Sequence, residues 1–283
     1  MISFLSKSRL YQYGKELVER FIENDVSGMS AQLAYYFMLS IFPFFIFAFT
    51  LIGYLPISAE HTLYFLHSVA PQKVTELLES NIHSVLNVRR GWLLIFSLLG
   101  TLWTSSSAIH AIISALNRAY DVKEERSYVM SRLMAILFTI GMVLAIIVTL
   151  ILPVFGKTIE TFVTSYIAVP PDVLQVWTFI RWVFSFVFLI GLFAFVYYFA
   201  PNCKVHWRVG FIGAIFAAVG WLIVSYGFSF YVNSFSSYTI TYGSLGGVII
   251  LMIWFYLSAM ILILGGQINA MIQKYLPKDR HGD

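Results

Sequence analysis

The sequence is poor in charge. Lys, Arg, Asp and Glu make up 11% of its 283 residues, against about 25% in a soluble globular domain. With 59% hydrophobic residues, a soluble chain would have no means of covering its surface. Acidic side chains are missing altogether from six long apolar stretches, so no carboxylate for ion coupling is expected inside them. The single cysteine, Cys203, excludes an internal disulfide and leaves the redox compartment open. No apolar run lies near Met1, so a cleavable signal peptide is not expected and the first span must act as the insertion signal. The six histidines are scattered, and neither a nucleophile elbow nor a phosphate loop is present. Catalytic residues, a metal and a cofactor are therefore not expected, and the protein is read as no enzyme.

What is present is hydrophobic length. A helix crossing about 30 Å of hydrocarbon needs about 20 mostly apolar residues. Six stretches qualify: 33–55, 92–116, 133–155, 174–200, 209–232 and 245–270. Only one charged residue, Arg181, lies inside any of them. They are continuous runs rather than ten-residue segments of alternating polarity, which selects helices over a closed barrel. Thirteen Lys and Arg fall in the N-terminal segment and every second loop after it, and four fall in the other loops. That asymmetry places both termini in the cytoplasm and requires an even number of spans. The net charge of +4 is thus read by position, and no nucleic-acid partner is expected. The fold expected is all-α: one polytopic membrane domain over 1–283, a six-span transmembrane helical bundle.

Outside the spans, Leu10, Tyr13, Leu17, Phe21 and Ile22 recur at helical spacing among charged residues, which predicts an amphipathic interfacial helix. Asp25 to Gly28 should end it, with Ser30 capping the first span. The outer loop from Pro56 to Gly91 carries spaced apolar residues and should hold one or two short helices. Small residues at Gly210, Gly213, Ala214, Ala217 and Gly220 permit close helix contact. Pro43 should kink the first span. Arg181 is expected to snorkel to the outer headgroups. Thr239 to Gly243 looks like a potassium filter strand, but Thr241 stands where that strand needs glycine.

Polar residues in a span are the candidate sites. On the second span Ser106, Ser107, His110, Ser114 and Asn117 recur at three- and four-residue intervals, a single stripe. The first span begins at the same depth with Gln32 and Tyr36, and the sixth ends there with Gln267 and Asn269. A polar cytoplasm-facing vestibule lined by Gln32, Tyr36, His110, Ser114, Asn117, Gln267 and Asn269 is therefore expected to bind substrate. The competing reading is plain interhelical hydrogen bonding, worth about 0.6 kcal/mol per group.

Three blocks carry a resemblance: Ser30 to Phe37 with Phe42-Pro43, Leu102 to Ser106 with Leu116 to Tyr120, and Tyr242 to Gly247 with Gly266 to Ala270. In this order they resemble the YihY/virulence factor BrkB family. The resemblance implies a six-span protein of the bacterial plasma membrane, with links to envelope functions and with lipid export suggested for some relatives. It also implies an abandoned label, ribonuclease BN, which the missing metal constellation does not support here. Many members carry Glu in the last block where this chain has Gln267, so proton or cation coupling there is not expected. Two functions follow: a transporter or lipid-translocating protein taking a lipid or small molecule, or a non-transporting envelope scaffold. Membrane lipids are partners in both, and a homo-oligomer is compatible with either.

Overall fold

A computed structural model describes residues 2–52, 91–127, 129–141, 170–234 and 244–275. Among these residues the chain forms seven helices and no strand. They are α1 (Ile2–Glu23), α2 (Val26–Ile52), α3 (Gly91–Ala119), α4 (Val129–Gly141), α5 (Pro171–Phe199), α6 (Trp207–Ser234) and α7 (Ser244–Tyr275). Five of them, α2, α3, α5, α6 and α7, are long and apolar enough to cross a membrane. The remaining expected span, 133–155, is described only as far as Gly141. The expected outer-loop helices, and the segment Thr239 to Gly243, lie outside the described residues.

The helices turn large apolar side chains outward. Phe179, Trp182, Ile223 and Phe230 are each about two-thirds exposed or more. Water would not tolerate such faces over helices of 27 residues and longer. Lipid favours them, and a helix satisfies its own backbone there. The chain is an integral membrane protein.

The expected N-terminal helix forms, and two i,i+4 ion pairs support it, Lys15–Glu19 and Glu16–Arg20. It ends on Asp25, whose φ of 51° is left-handed, a conformation aspartate adopts more readily than most residues. The Asp25 carboxylate then accepts the Gly28 N–H at 3.1 Å, which caps α2 five residues before the expected cap. Ser30 is not that cap. It lies in the second turn of α2 and its hydroxyl donates to the Val26 carbonyl, because a buried hydroxyl inside a helix bonds backward along it. α3 closes in the same way as α1: Asp121 is left-handed at φ 54°. The Val122 N–H returns to Asn117 O and the Asp121 N–H to Arg118 O, a Schellman ending.

Two compact units divide the chain: 36–107, and 1–35 together with 108–283. In the 36–107 unit, Gly100 leaves room for the Pro43 ring, which a Cβ there would meet at 3.4 Å. Its buried hydroxyls bond backward along their own helices, Thr101 to Ser97 O and Ser106 to Trp103 O. In the larger unit α6 packs between α5 and α7. Ala214, Ala217 and Ala218 are fully buried on α6, as are Leu116, Tyr197 and Ile263 on their helices. A Cβ on Gly213 would overlap the Gly265 carbonyl, so the small residues of α6 bring the two backbones into contact. The Tyr197 hydroxyl crosses to α7 and donates to Leu262 O at 2.7 Å.

Candidate functional site

The seven sequence-predicted residues meet different neighbours. Asn269 faces α6. Its Oδ1 accepts the Gly213 N–H at 2.8 Å and its Nδ2 donates to Gly210 O at 3.4 Å. Both ends of the amide are used, and Asn269 is wholly buried. Asn117 closes a loop: its Nδ2 donates to Glu124 Oε2 and its Oδ1 accepts the Asn202 N–H. His110 Nδ1 lies 3.2 Å from the Ser131 hydroxyl of α4. Ser114 and Gln32 are exposed. Tyr36 belongs to the 36–107 unit. Among the six in the larger unit, no two are hydrogen-bonded to each other.

Gln267 differs from these. It is wholly buried, and its Oε1 accepts the Asn24 amide at 3.0 Å. Its Nε2 has no partner among the described residues. A buried donor without an acceptor is rare in folded proteins and costs about 1–3 kcal/mol.

Asn24 leads outward from Gln267 to a groove of about 520 Å³. The groove lies where α1 meets the C-terminal ends of α3 and α7. Lys15, Glu16, Glu19, Arg20, Glu23 and Asn24 line it from α1 and its last turn. Arg118 and Lys274 line it from the other two helices, and Asp121 from just beyond the end of α3. Glu16 fastens α1 in place. Its carboxylate accepts bonds from Arg20 at 3.1 Å, from Lys274 at 3.4 Å and from the Tyr275 hydroxyl at 2.8 Å. Burial would push this carboxyl up, but those three donors outweigh it and hold Glu16 below the ordinary carboxylate value. Tyr13 meets the Tyr275 ring edge-on at 5.6 Å. Arg20 also reaches Ala119 O, and Arg118 reaches Glu23 O. Gln273, in the last turn of α7, ties down the α5–α6 connection through His206 N and Lys204 O.

Other reactive groups are quiet. Burial pushes the Cys203 thiol up, away from the thiolate that a nucleophile needs. The Arg181 guanidinium donates to Thr178, one turn toward the start of α5. Among the described residues, no three His, Cys, Asp or Glu side chains gather as metal ligands would.

The profile of the virulence factor BrkB family matches residues 17–283. The chain belongs to the BrkB family. A Bacillus subtilis protein named ribonuclease-like protein YfkH is 46% identical over 260 residues, 92% of this chain and 94% of that protein. A UPF0761 membrane protein of Vibrio parahaemolyticus is 30% identical, covering 91% of this chain and 81% of its own length. One from Vibrio campbellii is 29% identical over 93% and 81%. No solved structure matches the chain.

Sequence reasoning did not reach Glu16, Asn24 or Arg118 in this BrkB protein. Each lies outside the spans, where polar residues are expected and draw no notice. Glu16 and Tyr275 are 259 positions apart, so no local pattern joins them. One signal was available: α1 holds four acids and bases in two i,i+4 pairs, which is more order than a freely solvated arm needs.

Proposed function

We propose that this BrkB protein is a six-span bacterial plasma-membrane protein that moves a lipid or small polar molecule, with both termini in the cytoplasm. The groove at the meeting of α1, α3 and α7 is its cytoplasm-facing vestibule. One observation carries the reading: a groove lined by charged side chains leads through Asn24 to a buried amide, Gln267, with a free donor. Polar surplus of this kind at a membrane boundary marks a ligand path by default. The Lys and Arg asymmetry of the loops supports the orientation. The apolar helix α4 supports a further crossing through 133–155. Membrane lipids surround the bundle, binding and movement replace bond chemistry, and neither a nucleic acid nor a cofactor takes part.

The test is flux of labelled lipids and solutes in proteoliposomes. Wild type should move at least one of them, and Gln267→Leu and Arg118→Gln should slow it about tenfold, the effect of about 1.4 kcal/mol. Equal flux in all three, or none in wild type, defeats the proposal and leaves the envelope scaffold in its place.

A further inference from the structure

We infer that the groove binds a zwitterion: a ligand with one anionic oxygen centre and one ammonium centre. The inference rests on the functional reading above and names its ligand class.

Charge decides the class. Four cations line the groove, Lys15, Arg20, Arg118 and Lys274. Four carboxylates face them, Glu16, Glu19, Glu23 and Asp121. Lys15 and Glu19 neutralise each other at 3.5 Å. Arg20 and Lys274 share the single carboxylate of Glu16, which leaves one positive charge over. Among the described residues Arg118 makes one side-chain hydrogen bond, to the Glu23 carbonyl, out of five available donors. The Glu23 and Asp121 carboxylates make none among the described residues. The charge left unneutralised is two positive and two negative.

A simple anion in this groove would meet two open carboxylates, and a simple cation would meet Arg118 and the surplus at Glu16. Either gains at one end what repulsion removes at the other. A zwitterion satisfies both ends. Its oxygens match Arg118 in the forked geometry that guanidinium favours. Its ammonium matches Glu23 and Asp121. Behind the wall of the groove, Asn24 ties to the wholly buried Gln267 amide, whose Nε2 is unused among the described residues. A volume of about 520 Å³ suits a headgroup or small metabolite. Such chemistry comes from a phosphate–amine lipid headgroup or from a free zwitterion.

The experiment uses the full chain. Calorimetric titration in detergent compares glycerophosphoethanolamine with glycerol phosphate and with ethanolamine. The zwitterion should bind at least about tenfold more tightly than either half, the effect of about 1.4 kcal/mol. Arg118→Gln, Glu23→Gln and Asp121→Asn should each weaken it by a similar factor without lowering the unfolding temperature. Asn keeps the left-handed backbone at position 121. Nanodiscs of phosphatidylethanolamine or phosphatidylglycerol identify the source. Loss of soluble-ligand binding only in the first marks a lipid headgroup, and retention in both marks a free zwitterion. Equal binding of glycerol phosphate or ethanolamine overturns the inference. So does binding unchanged in the three variants, or no binding of the zwitterion. Flux without zwitterion binding removes this inference alone, and binding without flux removes only the transport reading.

Discussion

Gln267 and Asn269 stand two residues apart on α7, and both are wholly buried. The helix turns them by about 200° relative to each other. Asn269 meets the glycine seam of α6 and uses both ends of its amide. Gln267 meets Asn24 beside a charged groove and uses only one. Burial therefore does not tell the two amides apart in this bundle. Unused hydrogen-bonding capacity does.

The sharpest way to break that contrast is at the seam. Gly213→Val forces side-chain atoms into the Gly265 carbonyl and the Asn269 amide. The helices cannot separate without losing the Asn269 bonds to Gly213 and Gly210, so a loss of about 3 kcal/mol is expected. Thermal unfolding in detergent should show it, and an unchanged transition would mean that the seam is loose.

Asn269→Leu comes next, with a loss of about 1–2 kcal/mol. Gln267→Leu should cost less than about 1 kcal/mol, because it removes an unsatisfied donor while freeing the Asn24 amide toward the groove. The two losses measured side by side decide the comparison. If Gln267→Leu is the more destabilising, Gln267 is a packing residue like its neighbour.

The smallest effect concerns α1. Glu16 is held below its ordinary value of 4.5 in the folded chain. Its contribution is therefore present above pH 4.5 and is lost as pH falls through the lower folded value. The protection of α1 amides, taken relative to their intrinsic exchange rates, should fall over that acid range while α6 and α7 stay protected. Glu16→Gln should give the same loss of protection at neutral pH, with a change of about 0.5–1 kcal/mol.

The apolar pattern carried most of the fold. Its runs located α2, α3, α5, α6 and α7, and the small residues of α6 marked the seam with α7. Helix joints were harder to read. Glycine usually marks a left-handed ending, but here Asp25 and Asp121 take that role, so Ser30 drew the capping assignment. The site was legible only in part. Gln267 stood out as polar within an apolar run. Its partner Asn24 lies in a polar stretch, and the fastening of α1 by Glu16 joins chain ends that no local period connects.

The two-residue joint at Asn24 and Asp25 has a mechanical consequence. Asn24 N and Asp25 N both return to α1, and the Asp25 carboxylate and carbonyl both hold the first turn of α2. No slack remains between the helices. A tilt of α1 would turn the start of α2 with it, as a crank turns its shaft, and would draw Asn24 away from Gln267. The orientation of α1 and that of the first turn of α2 are thereby one mechanical variable.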